Sequence, residues 1–308
     1  MKYFKIANTD LNVSNIIMGN MRLTQLALPE IELLIKTALE EGINFFDHAD
    51  IYGAGECETL FSDAIQMNPS IREQMIIQSK CGIRPQEKMY DFSKEHIISS
   101  TEQILKRLKT DYLDILLLHR PDALMEPAEV AEAFEELHSS GKVKYFGVSN
   151  HNPLQIQLLQ KYIPQKLVIN QLQFSIAHTP MIDSGISLNM NIDQAINRDS
   201  NVLDYCRLHD ITIQAWSPFQ KGFFEGTFLG DYKNYGELND YIKELAGKYE
   251  VTDTAITTAW ITRHPANIQV ILGTTNRDRL KDACKGSEIP LTRKEWYDIY
   301  RLAGNMIP

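Results

Sequence analysis

Cysteine is scarce and scattered: Cys57, Cys81, Cys206 and Cys284 are the four in 308 residues, with no CxxC pair and no Cys/His cluster. That spacing excludes a disulfide framework and a thiolate zinc site, and each cysteine reads as a small buried apolar side chain. Long apolar runs are missing too. None reaches the roughly 20 residues that span a bilayer, and the N-terminus MKYFKIANTD has no apolar signal region. Positive charge is in deficit, with 31 Lys and Arg against 40 Asp and Glu, a net charge of -9. This argues against a nucleic-acid or anionic-membrane surface and leaves a small molecule as the partner, with a local basic pocket for a phosphate still open. No repeat of fixed period and no low-complexity tract is visible. These absences point to a reduced cytoplasmic setting and to no metal.

The 44% hydrophobic and 23% charged residues suit a large buried core. Short apolar runs recur, each stopping at a polar or special residue. INFF precedes Asp47, MIIQS precedes Lys80, DILLL precedes His119 and YFGV precedes Ser149 and Asn150. LVIN precedes Gln171, ITIQA precedes Trp216 and Ser217, IQVIL precedes Gly273, and an eighth run, IIMG, precedes Asn20. Runs rich in Ile, Val and Leu read as strands buried on both faces, and most are separated by amphipathic stretches that read as helices. The alternation predicts an α/β fold, a (β/α)8 barrel in one domain spanning 1–308, with its strand-end residues converging on one mouth.

Residues 3–14 read as a hairpin that plugs the closed end. Helices are predicted over Pro29–Glu41, Ser93–Lys109, Glu126–Ser140, Pro153–Tyr162 and Asn201–His209, then Leu238–Tyr249, Thr252–Arg263 and an appended C-terminal Glu288–Gly304. Stretches 177–199 and 217–237 break the rhythm and read as substrate or cofactor lids.

The densest motif is Asp47-His48-Ala49-Asp50-Ile51-Tyr52-Gly53. With Lys80 and His119 from neighbouring strand ends it suits a proton-donating tyrosine. A free phenol has a pKa of about 10, and an adjacent ammonium lowers it. Lys80 is expected to do so, Asp47 to hold Lys80 charged, and His119 to polarise a substrate carbonyl. His48 and Asp50 read as structural, Arg120 as an ion-pair former beside the mouth, and Gly53-Ala54-Gly55 as a tight turn.

DHADIYG, the lysine after the third strand, LLLHRPD, GVSN, NQLQFS, AWSPF and ILGTTNRDRL together resemble the aldo-keto reductases over nearly the whole chain. DHADIYG, SKCGI and HRPD with Trp216 also resemble a bacterial oxidoreductase subgroup. The resemblance implies a catalytic tetrad of Asp47, Tyr52, Lys80 and His119 and reduction of an aldehyde or ketone with NADPH, NADH being the alternative cofactor. It implies that Ser149, Asn150 and Gln171 hold the nicotinamide carboxamide, Trp216 stacks on its ring, and the backbone near Asn20 and Met21 lines its ribose. Ser217, Pro218 and Phe219 would cover the pyrophosphate, and Gly273, Thr274, Thr275 and Arg279 would receive the adenosine 2'-phosphate. Many classical members carry lysine at Gly273 and a frequent asparagine at Ala283, and Arg277 or Arg279 is expected to compensate. A cofactor-sensing subunit, like the related potassium-channel β-subunits, and an aldolase using Lys80 as a Schiff base are the competing readings.

Overall fold

In the computed structural model, which describes residues 1–307, the chain opens with the expected hairpin, β1 (Tyr3–Lys5) against β2 (Asn12–Ser14). The eight apolar runs then form a closed parallel barrel. Its strands are β3 (Ile16–Gly19), β4 (Phe45–Asp47), β5 (Ile76–Cys81), β8 (Leu113–Leu118), β9 (Val143–Ser149), β10 (Leu167–Gln173), β11 (Thr212–Trp216) and β12 (Gln269–Leu272). They follow chain order around the ring, and β12 closes it against β3. A small hairpin, β6 (Ile83–Arg84) with β7 (Met89–Tyr90), leaves the mouth after β5.

The two-residue period of each strand divides the apolar side chains into two cores. Ile17, Phe45, Ile115, Leu117, Ile169 and Ile271 fill the barrel interior, where Ile6, Leu11 and Val13 of the hairpin join them. Ile16, Met18, Leu116 and Leu118 instead pack with the helices. A hydrogen-bonded glutamine layer crosses the interior. Gln171 and Gln78 donate to Gln214, Gln214 donates to Gln269 at 3.1 Å, and Gln269 donates to the Ser14 carbonyl at 2.8 Å. Polar groups in so apolar a setting are tolerated because they satisfy one another.

The crossover helices are α1 (Leu28–Glu40), α2 (Glu56–Ala64), α3 (Pro69–Arg72), α4 (Lys94–Leu108), α5 (Pro127–Ser139), α6 (Pro153–Gln160), α7 (Pro180–Ile186) and α8 (Val202–Leu208). They are followed by α9 (Tyr232–Tyr249), α10 (Asp253–Thr262), α11 (Arg277–Lys285) and α12 (Arg293–Leu302). Local signals fix the ends where sequence placed them. Ser93 caps α4 by accepting from His96 N, and Asn152 and Gln155 form a capping box on α6. Four helices, α2, α3, α7 and α11, were not expected. Another, α9, begins six residues before the expected Leu238, capped by Asp231 and kinked at Tyr235. The appended helix is confined to Arg293–Leu302, within the longer stretch expected.

One lid is corrected. Residues 177–199 contain α7, and Asp183 and Gln194 bond Tyr300 of α12 at 2.7 and 3.1 Å. Their polar groups bind the C-terminal helix rather than reaching over the mouth. Residues 217–231 do form a flap, with Phe228 N bonded to Phe219 O, Gln220 bridged to Thr227, and Ser175 Oγ donating to Gln220 O at 2.6 Å.

Candidate active site

Asp47 ends β4 and Lys80 stands near the end of β5, so the parallel register brings both to the barrel mouth. Lys80 Nζ is fully buried and donates to both Asp47 oxygens at 2.7 Å, to the His48 carbonyl at 2.7 Å and to Tyr52 Oη at 3.2 Å. Asp47 also accepts from Gln78 and Gln171 at 2.7 and 3.0 Å. This lysine is a clamped cation, unlike the free amine that a Schiff base requires.

Tyr52 reaches this pair through a tight turn. Gly53, Ala54 and Gly55 all have positive φ, at 57°, 54° and 93°. At Gly55 a Cβ would lie 2.9 Å from Arg107 Nε, so both conformation and space require glycine there. His119 directly follows β8, and its ring meets that of Tyr52 edge to face at 6.2 Å. The four expected catalytic side chains therefore converge.

Their electrostatics depart from expectation at one point. Burial raises the Tyr52 phenol, Lys80 pulls it back and Asp47 adds to the rise, so the net direction is upward. The lysine counteracts desolvation without overcoming it. Burial pushes the Lys80 ammonium down, but Asp47 and Tyr52 outweigh it and hold the group charged. Burial, then Lys80 and Arg120, keeps His119 far below the usual imidazole range, hence neutral at pH 7.

His48 stays structural. Burial brings it down to about 3, and its Nε2 lies 3.1 Å from Asn20 Nδ2. Asp50 rises to about 7 through burial and Glu58, and its Oδ1 finds no partner among the described residues.

A cavity of about 760 Å³ opens above the cluster. Asp47, Tyr52, His119, Met21, Ser149, Asn150, Gln171, Trp216, Ser217, Pro218, Phe219, Gly273, Thr274, Thr275 and Arg279 all line it. Lys80 lies behind them. Asn20 also turns inward and bonds the Met18 and Asp47 carbonyls, while its neighbours Gly19 and Met21 border the space. Ser149 Oγ donates to the Gln171 carbonyl and accepts from Asn150 Nδ2, and Asn150 Oδ1 accepts from Trp216 Nε1 at 3.1 Å. These bonds fix the indole at the cavity wall.

Sequence reasoning missed Arg22. Its Nη1 donates to the Gly273 carbonyl at 2.5 Å and lies 2.8 Å from where a Gly273 Cβ would be. A guanidinium from the loop after β3 thus covers the position at which a lysine was missed. Arginine three residues beyond a strand end was the available signal. Arg277, one of the two expected compensators, instead bonds Thr37 at 2.9 Å, while Arg279 borders the cavity. Arg120 is also corrected: no carboxylate pairs with it among the described residues. Its Cζ lies over the Trp216 and Phe223 rings, 5.6 and 5.7 Å from their centroids.

A closed barrel with a buried lysine and aspartate and a cavity-lining tyrosine at its C-terminal mouth defines a class of enzyme scaffold. The chain belongs to the Aldo/keto reductase family, whose pattern matches residues 15–303. It is 36% identical over 302 residues to the uncharacterized oxidoreductase YcsN of Bacillus subtilis, covering 94% of each chain. It is 32% identical over 312 residues to a 6-dehydroglucose reductase of Agrobacterium fabrum, covering 97% of each. Its fold matches that of an aldo/keto reductase from Klebsiella pneumoniae, solved with NADP and acetate. The TM-score is 0.74 at 23% identity, with 96% of this chain and 93% of that one covered. No helix among the described residues is long and apolar enough to cross a membrane.

Proposed function

We propose that the protein reduces an aldehyde or ketone to an alcohol with NADPH, Tyr52 donating the proton. The observation that carries this reading is the Lys80 ammonium, clamped by Asp47 and 3.2 Å from Tyr52 Oη, beneath a cavity that Tyr52 and His119 both border.

The lining suits a phosphorylated dinucleotide. Arg22, Thr274, Thr275 and Arg279 gather guanidinium, hydroxyl and helix N-terminal groups at one end, as phosphate requires. Toward the centre, Trp216 offers an aromatic wall. The Gln171 side-chain oxygen accepts from no protein donor among the described residues, so it is free for a carboxamide N–H. When bound, the cofactor supplies hydride to the carbonyl carbon.

The chain's own groups manage the charge that develops on oxygen. Tyr52 stays protonated because its phenol lies above its ordinary value, and it gives up that proton only to a much stronger base such as an alkoxide. Lys80 stabilises the phenolate left behind, and Asp47 holds Lys80 in place. Neutral His119 donates a hydrogen bond without competing as an acid.

The test is NADPH consumption across a panel of aldehydes and ketones. Turnover with alcohol formation is expected. Tight NADPH binding without turnover would contradict the reading and favour a sensor.

A further inference from the structure

The cavity wall carries three guanidiniums, Arg22, Arg120 and Arg279, and a single carboxylate, Asp47, already neutralised by Lys80. In a chain of net charge -9 this is a local reversal of sign. The three arginines do not form one group. Arg22 touches Gly273 just after β12, and Arg279 lies in α11, which also follows β12. Arg120 follows β8, four strands away in the eight-stranded ring and therefore on its opposite side. Phosphates held near β12 leave Arg120 free.

Arg120 is half-buried, next in sequence to His119, with no carboxylate partner among the described residues. Tyr90 is its one ionisable attractive neighbour, and burial holds its guanidinium below the ordinary range. Of the two acids on the same flap, Glu225 acts on His178 and Asp231 pairs with Lys221 at 2.8 Å. Trp216 and the flap's Phe223 offer their rings to the guanidinium. An arginine held against aromatic faces keeps its in-plane N–H edge for a planar bidentate acceptor. A charge this desolvated and unpaired is costly unless a ligand completes it.

We propose that Arg120 is the docking group for an anionic substituent of the substrate, so that the preferred substrate is a carbonyl compound bearing a carboxylate remote from its reacting carbon. The proposal rests on the reductase reading. The carboxylate binds at the Arg120 N–H edge beside the paired Phe223 and Trp216 rings while the carbonyl reaches Tyr52 and His119 at the cavity floor. Because Phe223 belongs to the flap, closure of the flap and capture of the anion are coupled.

The test compares 4-carboxybenzaldehyde with its neutral isostere 4-carbamoylbenzaldehyde, in wild type and in Arg120→Gln and Arg120→Lys. Wild type is expected to prefer the carboxylate in kcat/KM by about tenfold or more, the worth of a charge-assisted hydrogen bond. Arg120→Gln should abolish that preference, chiefly through KM, and Arg120→Lys should restore part of it. A wild-type ratio near one, or a ratio unchanged in Arg120→Gln, overturns the proposal.

A second readout separates this idea from the reaction itself: calorimetric binding of 4-(hydroxymethyl)benzoate and 4-(hydroxymethyl)benzamide to the NADP+-saturated protein. A benzoate preference lost in Arg120→Gln supports anion docking even if no aldehyde turns over, an outcome that sinks only the reductase reading. Equal affinities overturn the docking role. So does a weakening of NADP+ binding in Arg120→Gln that matches the loss of the benzoate, because the arginine then serves the cofactor.

Discussion

At Gly273 the Arg22 guanidinium occupies the space a side chain would enter: its Nη1 donates to the Gly273 carbonyl and lies 2.8 Å from where a Cβ would be, so a longer residue there would have to displace the arginine. We predict that Arg22→Met weakens NADPH binding about tenfold, the worth of one charge-assisted bond, as read by fluorescence titration. Unchanged affinity would show that Arg22 only props the Gly273 loop. The positions of Asp47, Lys80 and His119 were legible in sequence because each stops or follows an apolar run. Arg22 was not, because its partner lies 251 residues away across the closure between β12 and β3. The same limit applied to Arg120 and to the direction of the Tyr52 shift. Pairing and desolvation depend on what surrounds a group in space, and spacing along the chain does not report that.

Elements were legible where periodicity was clean and hidden where local composition blurred it. The unbroken apolar run of Leu113–Leu118 and the capped start of α4 announce themselves. In contrast, α2 begins directly behind two glycines, and α11 reads RDRLKDACK, with only Leu280, Ala283 and Cys284 buried. Pro180 lies in the stretch expected to be an irregular lid but occupies the first turn of α7, where its missing N–H costs nothing. Between elements, the buried pair of Arg72 and Asp114 does much of the joining. Both are 4% exposed, and Asp114 accepts from Arg72 Nη2 at 2.6 Å, Ile77 N at 2.9 Å and Lys144 Nζ at 3.1 Å. These bonds connect α3, β5, β8 and β9. Asp114→Ala removes the carboxylate from a buried guanidinium that keeps only neutral acceptors, Thr110 and the Met75 and Tyr112 carbonyls, and should cost about 3–5 kcal/mol in urea unfolding. A loss under about 1 kcal/mol would mean that solvent reaches Arg72 readily.

The whole molecule was legible as a barrel because eight runs and their crossovers leave few other closed arrangements, and the mouth followed from the parallel direction. Its pH response follows from burial. Six imidazoles lie below their ordinary value through desolvation, His48 at about 3, His151 and His264 at about 4, with His96, His119 and His178 also lowered. The unfolded chain takes up protons that these groups refuse when folded. Their contribution is intact above about pH 6.5 and is lost as pH falls from there toward about 3. Four carboxyls raised by burial, Asp50, Glu58, Asp183 and Asp199, act in the opposite sense, but the imidazoles outnumber them. Unfolding free energy from urea titrations should therefore be lower at pH 5 than at pH 7.5, and a rise on acidification would contradict this balance.

The proposed reaction turns on one arrangement, Tyr52 3.2 Å from the clamped Lys80 ammonium at the floor of the cavity. Removing only the phenolic oxygen tests it most directly. Tyr52→Phe should lower kcat for aldehyde reduction by at least about a thousandfold while NADPH binds nearly as in the wild type. Retention of wild-type turnover by the variant, with its cofactor affinity unchanged, would contradict the account.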